Sequence, residues 1–101
     1  MQKYNADGYE SEAWLELRLR KAVEKAGGQA FKWVSGHVGV PDRIVFLPKG
    51  KVYFLELKAE KGVVSAIQAK RIRQITTLGQ DARVLRGLTE IDNFIENEVK
   101  K

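Results

Sequence analysis

Pro41-Asp42-Arg43-Ile44-Val45-Phe46-Leu47-Pro48-Lys49-Gly50-Lys51-Val52-Tyr53-Phe54-Leu55-Glu56-Leu57-Lys58 carries two apolar runs, Ile44–Leu47 and Val52–Leu57, on either side of Pro48-Lys49-Gly50. Proline presets φ at the first position of a type I turn, and glycine takes the left-handed position that follows. That is the chemistry of a three-residue hairpin loop closed by a bulge. With this loop Leu47 pairs with Lys51. Counting outward, Phe46 faces Val52, Ile44 faces Phe54 and Asp42 faces Glu56. Side chains alternate along a strand, so Asp42, Glu56 and Lys58 leave the ribbon on one face.

Two opposed carboxylates in such a ribbon are unfavourable. Directly opposed residues have Cβ atoms about 5 Å apart, and like charges there repel. The neighbouring layer of Ile44, Phe46, Val52 and Phe54 removes hydration as well. A hard divalent cation relieves both costs, because Mg²⁺ binds through one or two carboxylates and keeps several waters. Lys58, one strand step beyond Glu56, then lies where its ammonium meets a water or a phosphate oxygen. The ordinary alternative is an edge hairpin whose Asp, Glu and Lys make a surface ion pair.

The chain has 101 residues, enough for one domain with a modest core. Hydrophobic residues are 44% of it, which argues against disorder. With no cysteine, a disulfide frame, a thiolate nucleophile and a zinc–cysteine site are all excluded. A single histidine excludes a multi-histidine metal site within one chain. No signal peptide is visible, and no apolar run approaches the ~18 residues of a membrane span. The chain therefore reads as cytosolic, with no membrane partner. The net charge of +5 and pI near 9.6 favour a polyanion, since Lys and Arg gain by releasing counterions from phosphates.

Residues 1–10 are polar and read as an irregular segment, and residues 11–101 as a single domain. Ser11 is a plausible N-cap, and Leu15, Leu19, Ala22, Val23 and Ala26 form one apolar helical stripe ended by Gly27-Gly28. Glu12 and Glu16 lie one turn apart on the same flank, and periodicity does not separate them. Gln29–Val34 alternates as a strand, with Lys32 and Trp33 on opposite faces. If Lys32 shares the acidic face it reaches phosphate; an exposed strand lysine is the equal alternative. Ser65 to Leu78 reads as a helix ended by Gly79, and Ser65-x-x-Gln68 is a capping box. Gln68 shares a face with Ile72 and Ile75. Lys70, Arg71 and Arg73 line the more exposed sides. Asp81–Arg86 is a short strand, and a last helix follows with Thr89 as expected N-cap and Ile91, Phe94, Ile95 and Val99 as buried stripe. The order is α-β-β-β-α-β-α, with the third and fourth strands parallel across the Ser65 helix.

Pro41-Asp42 followed by Glu56-Leu57-Lys58 resembles the PD-(D/E)xK nuclease motif. More narrowly, the chain is similar to the virus-type replication-repair nuclease family, VRR-NUC, in its small stand-alone phage form. The match rests on Gly39-Val40-Pro41-Asp42-Arg43, Gly50, Phe54-Leu55-Glu56-Leu57-Lys58-Ala59, Gly62, Ser65, Gln68 and Gly79, with Leu15-Glu16, Leu19 and Gly27-Gly28 upstream. The short motif alone is degenerate, and the longer string is far more specific.

The resemblance implies a restriction-endonuclease-like α/β fold, a mixed central sheet flanked by helices, and metal-dependent hydrolysis of DNA. Asp42 and Glu56 would hold Mg²⁺, for which Mn²⁺ substitutes, with the backbone carbonyl of Leu57. Glu16 would be the third acidic group, chosen over Glu12 by its spacing to Leu19 and Gly27-Gly28. Lys58 would orient the attacking water, and Gln68 would point into the site. Lys32, Arg43, Lys61, Lys70 and Arg71 would meet DNA. The expected substrate is branched or duplex DNA and the expected assembly a homodimer. Holliday-junction resolution or nicking of branched DNA would follow, in the host bacterial cytoplasm if the protein is phage-encoded, with no small-molecule cofactor. A sequence-specific restriction-type nuclease, a non-catalytic DNA-binding module of the same fold, and an interaction subunit with a structural acidic pair are the competing readings.

Overall fold

A computed structural model describes residues 1–101. Helix α1 (Glu12–Lys25) is followed by strands β1 (Gln29–Lys32), β2 (Arg43–Leu47) and β3 (Lys51–Lys58). Helix α2 (Ala66–Thr77), strand β4 (Ala82–Arg86) and helix α3 (Gly87–Phe94) complete the order, and α3 runs on into a π-helical turn, Ile95–Val99. The strands form one sheet, β1-β2-β3-β4, antiparallel except for the parallel β3–β4 pair. Element order and mixed sheet are those expected.

The hairpin register is the expected one: Leu47 pairs with Lys51, Phe46 with Val52, Ile44 with Phe54 and Arg43 with Leu55. The turn itself differs. Lys49 adopts φ 70° and ψ 25°, and Gly50 φ 78°. A type I turn needs negative φ at Lys49, so two left-handed residues replace the single glycine expected there.

One face of the sheet holds the core. Val45, Leu47, Tyr53, Leu55, Leu57 and Leu85 pack against Leu15, Leu19 and Val23 of α1 and against Ile91, Phe94, Ile95 and Val99. Helix α1 forms because Ser11 Oγ accepts from the Trp14 N–H at 3.2 Å and the apolar positions recur on one side. The helix stops where Gly27 turns to φ 88°. A side chain at Gly28 would collide with the Phe46 carbonyl, so this glycine lets the helix end sit on β2.

The other face is thinly covered. Ile44, Phe46, Val52, Phe54, Glu56 and Lys58 alternate onto it. Helix α2 lies over it with no fully buried residue. Its N-terminus is closed by the expected capping box: Ser65 Oγ accepts from Gln68 N–H at 3.2 Å, and Gln68 Oε1 accepts from Ser65 N–H at 3.0 Å. The 35–40 loop meets α2 closely, for an added Cβ on Gly39 (φ 83°) would lie 2.8–2.9 Å from Ile67 atoms. Phe31 and Phe46, 47% and 41% exposed, touch edge to face at 6.2 Å on the uncovered β1–β2 half.

Residues 1–10 hold no helix or strand, but they are tied locally: Tyr4 bridges Glu10, Asn5 Oδ1 accepts from Asp7 and Tyr9 N–H, and Ser11 N–H donates to the Lys3 carbonyl. Two local readings are corrected. Strand β1 ends at Lys32 rather than Val34, although Trp33 N–H still donates to the Asp42 carbonyl at 2.7 Å. Helix α3 starts at Gly87, and Glu90, not Thr89, closes it by accepting from Arg86 N–H at 2.9 Å.

Candidate active site

The site forms where β2 ends and β3 continues. Pairing between them stops at Arg43–Leu55, so Glu56, Leu57 and Lys58 run past β2 beside Asp42. On its other side β3 is held by β4, with Glu56 opposite Val84 and Lys58 opposite Arg86. Alternation places Asp42, Glu56 and Lys58 on the face away from the main core. Trp33 joins them, its ring 5.5 Å from that of Phe54.

Glu56 is the one buried charged residue, 4% exposed. Its carboxylate Oε2 lies 3.6 Å from Lys58 Nζ. Burial pushes the Glu56 pKa up, the negative charge of Asp42 pushes it further, and Lys58 pulls it back. Glu12 adds a smaller upward push. Glu56 is thus a desolvated carboxylate beside the like charge of Asp42, and Lys58 compensates only part of that.

Helix α1 separates its two glutamates. Glu12 is the one whose charge reaches Glu56. Glu16 instead faces Arg20 Nε at 3.8 Å and Arg43 Nε at 3.9 Å. Glu16 thus borders the site through Arg43, which pairs with Asp42, and Glu12 lies within charge range of Glu56. Arg43 follows Asp42 by one residue and so alternates to the α1 side. Its side chain is only 14% exposed. Its Nη1 lies 3.1 Å from Asp42 Oδ1 and 3.2 Å from the Asp42 carbonyl, and its buried Nε has no acceptor. This burial is at odds with an Arg43 that meets DNA; the alternation rule that placed Asp42 was the signal that could have shown it.

The other basic residues are spread. Lys32 pairs with Arg43 across β1–β2 and so lies on the face opposite Asp42. Lys61 is exposed, its Nζ 5.7 Å over the Tyr9 ring, in the connection just after Lys58. Lys70 is exposed on α2. Arg71 donates to the Val38 carbonyl at 3.0 Å and ties the 35–40 loop to α2. Gln68 gives its side-chain carbonyl to the Ser65 cap.

No three acidic or histidine side chains converge as a ready-made metal cage. The donor set present is two facing carboxylates with an ammonium alongside, at an open strand end. That set fits a hard divalent ion that keeps part of its water shell.

Residues 2–88 match the family model of the VRR-NUC domain. The chain belongs to this nuclease family. A solved VRR-NUC domain superposes with a TM-score of 0.79 at 26% identity, over 86% of this chain and 96% of that one. The Holliday junction resolvase Hjc of the archaeal hyperthermophile Archaeoglobus fulgidus superposes with a TM-score of 0.55 at 22% identity, over 75% of this chain and 68% of its own, a likeness of fold. Among curated proteins, the one named "Putative nuclease p44", from Acyrthosiphon pisum secondary endosymbiont phage 1, is 42% identical over 72 residues, 70% of this chain and 77% of that protein. VRR-NUC membership and the PD-(D/E)xK-type α/β fold agree with the sequence motif. No helix is long and apolar enough to cross a membrane.

Proposed function

We propose that this VRR-NUC domain is a metal-dependent, structure-specific DNA endonuclease that nicks or resolves branched DNA. The observation that carries the reading is the buried carboxylate of Glu56 beside the like charge of the half-exposed Asp42, with Lys58 at 3.6 Å from Glu56. A divalent ion there, Mg²⁺ with Mn²⁺ as substitute, would supply Lewis-acid activation of the attacking water and neutralise charge at the phosphate.

The chain's own groups divide the remaining work. Asp42 and Glu56, with the Leu57 carbonyl, would hold the ion, and Glu16 would complete the acidic set directly or through water. Lys58 donates a hydrogen bond that orients the attacking water and meets charge on the phosphate oxygens. Gln68 fixes the start of α2 beside the site. Lys61 and Lys70 meet the phosphate backbone from exposed positions, while Lys32 serves a strand on the far side of the sheet. The homodimer forms through the uncovered β1–β2 face around Phe31 and Phe46. Shape rather than sequence is read, a reading supported by the fold shared with a junction resolvase.

The test is cleavage of four-way, flap, splayed-arm and plain duplex DNA with Mg²⁺ or with EDTA. Branched substrates are cut with Mg²⁺ only. Asp42→Asn and Lys58→Ala each lose at least ~100-fold in rate, the scale of removing one transition-state donor, with DNA binding retained. Full cleavage in EDTA, or by either variant, overturns the assignment.

A further inference from the structure

We propose that the N-terminal turn, residues 3–9, forms with Lys61 a docking platform for a single-stranded arm of DNA: the Tyr9 ring stacks on an unpaired base and the Lys61 ammonium meets a neighbouring phosphate. The inference rests on the DNA-cutting reading above and names the part of a branched substrate that the chain grips.

Chain ends usually fray unless something ties them down. Here the turn is tied at both ends. Asn5 N–H donates to the Tyr9 carbonyl at 2.8 Å, and Tyr9 N–H donates back to Asn5 Oδ1 at 3.2 Å. Gly8 closes the turn at φ 83°. Ser11 Oγ donates to the Gln2 carbonyl at 2.7 Å, and Ser11 N–H to the Lys3 carbonyl at 2.6 Å. The backbone that carries Tyr9 is therefore fixed before any ligand arrives, and little ordering remains to oppose binding.

The fixed rings are not buried. Tyr4 is 52% exposed and Tyr9 37%. Each faces an ammonium: Lys61 Nζ lies 5.7 Å from the Tyr9 centroid, and Lys3 Nζ 5.2 Å from that of Tyr4 and 4.8 Å from that of Trp14. A ring holds a cation without neutralising it, so both charges stay available to an anion. Rings for bases and cations for phosphates are the make-up of single-strand sites. A paired duplex keeps its base faces stacked and offers these rings nothing. The platform also adjoins the cutting centre. Lys61 follows Lys58 by three residues, and its connection is pinned at the sheet end, where Arg86, opposite Lys58 on β4, donates to the Gly62 carbonyl at 3.0 Å.

The experiment measures binding of the full chain, in EDTA, to a fluorescein-labelled oligothymidylate of about 12 nucleotides, a length within known single-strand sites, and to a labelled plain duplex. Circular dichroism checks folding. Tyr9→Leu weakens oligothymidylate binding about tenfold, the scale of one stacked base, and changes duplex binding by less than about twofold. Tyr9→Phe keeps the ring and stays within about twofold of the parent. Lys61→Gln lowers the slope of log affinity against log salt by about 0.7, one phosphate contact on a single strand. Irradiating the parent with an oligonucleotide that carries 5-iododeoxyuridine crosslinks the peptide containing Tyr9, a readout that stands even if Tyr9→Leu unfolds. No loss in a folded Tyr9→Leu, equal loss on single strand and duplex, an unchanged salt slope, or crosslinks that avoid residues 3–9 overturn the platform. A parent that binds duplex alone overturns the platform and leaves the nuclease reading standing; a parent that binds neither DNA removes both.

Discussion

Lys58 Nζ stands 3.6 Å from Glu56 Oε2, and this ammonium offsets part of what burial and the charge of Asp42 do to Glu56. The balance leaves the Glu56 pKa above its ordinary 4.5. A carboxyl that is harder to ionise in the folded chain than in the unfolded one holds its proton longer in the native state. Stability is then fully present below about pH 4.5 and falls as pH rises through the raised pKa. Glu56→Gln removes that loss, so without metal it raises the midpoint of thermal unfolding at pH 7 and leaves it nearly unchanged at pH 4. Mg²⁺ at a hundredfold excess over its Kd stabilises the parent by about 2.7 kcal/mol by mass action and leaves Glu56→Gln unmoved. Scanning fluorimetry across pH, with and without Mg²⁺, checks all three outcomes. A Glu56→Gln protein less stable at pH 7 contradicts the strain described.

Gln68 and Ser65 close α2 on each other through bonds of 3.0 and 3.2 Å. Ser65→Ala lowers stability by about 1 kcal/mol, the usual cost of a lost N-cap. Gln68→Glu keeps the reciprocal bond, since either residue completes a capping box, and retains both stability and cleavage. Urea unfolding and cleavage rates read the two effects separately. Normal stability with cleavage lost in Gln68→Glu places the side chain in the chemistry instead.

Lys49 sits at φ 70° in the hairpin turn. A left-handed conformation costs an L-residue about 1–2 kcal/mol, of which glycine's extra unfolded-state freedom returns about half. Lys49→Gly therefore stabilises by about 0.5–1 kcal/mol, a rise of roughly 4 °C in a domain of this size. A fall in the unfolding midpoint contradicts the turn geometry.

Phe31 and Phe46 meet in the open on the β1–β2 half of the sheet. If a second copy covers them, the parent has twice the 11.4 kDa chain mass in light scattering at micromolar concentration. Phe46→Glu returns it to the chain mass with an unchanged circular dichroism spectrum. A Phe46→Glu protein that keeps the doubled mass moves the interface elsewhere; a parent of single mass removes the dimer.

The hairpin was legible because register follows from turn length and a one-residue slip would exchange the two faces. Asp42 and Glu56 therefore came out opposite each other from counting alone. Arg43 was readable by the same count, since its pairing with Leu55 puts it toward α1. Glu12 and Glu16 were not separable, because residues four apart on a helix differ in direction by only about 40°. What distinguishes them is which charges each meets in the folded chain, a tertiary fact. The turn at residues 4–10 rests on Asn5 Oδ1 bonding two amides of its own loop, a local side-chain competition that hydrophobic periodicity does not register. Lys49 at positive φ goes against single-residue preference, and nothing in its neighbours foretold it.

The absent side chain of Gly39 lets the loop leading to Asp42 rest on Ile67, and Arg71 clasps the same loop through the Val38 carbonyl. The segment before Asp42 and helix α2 are thereby held together at two points. A displacement of α2 is passed to the chain leading into Asp42, and lengthening residues 35–40 would loosen that link.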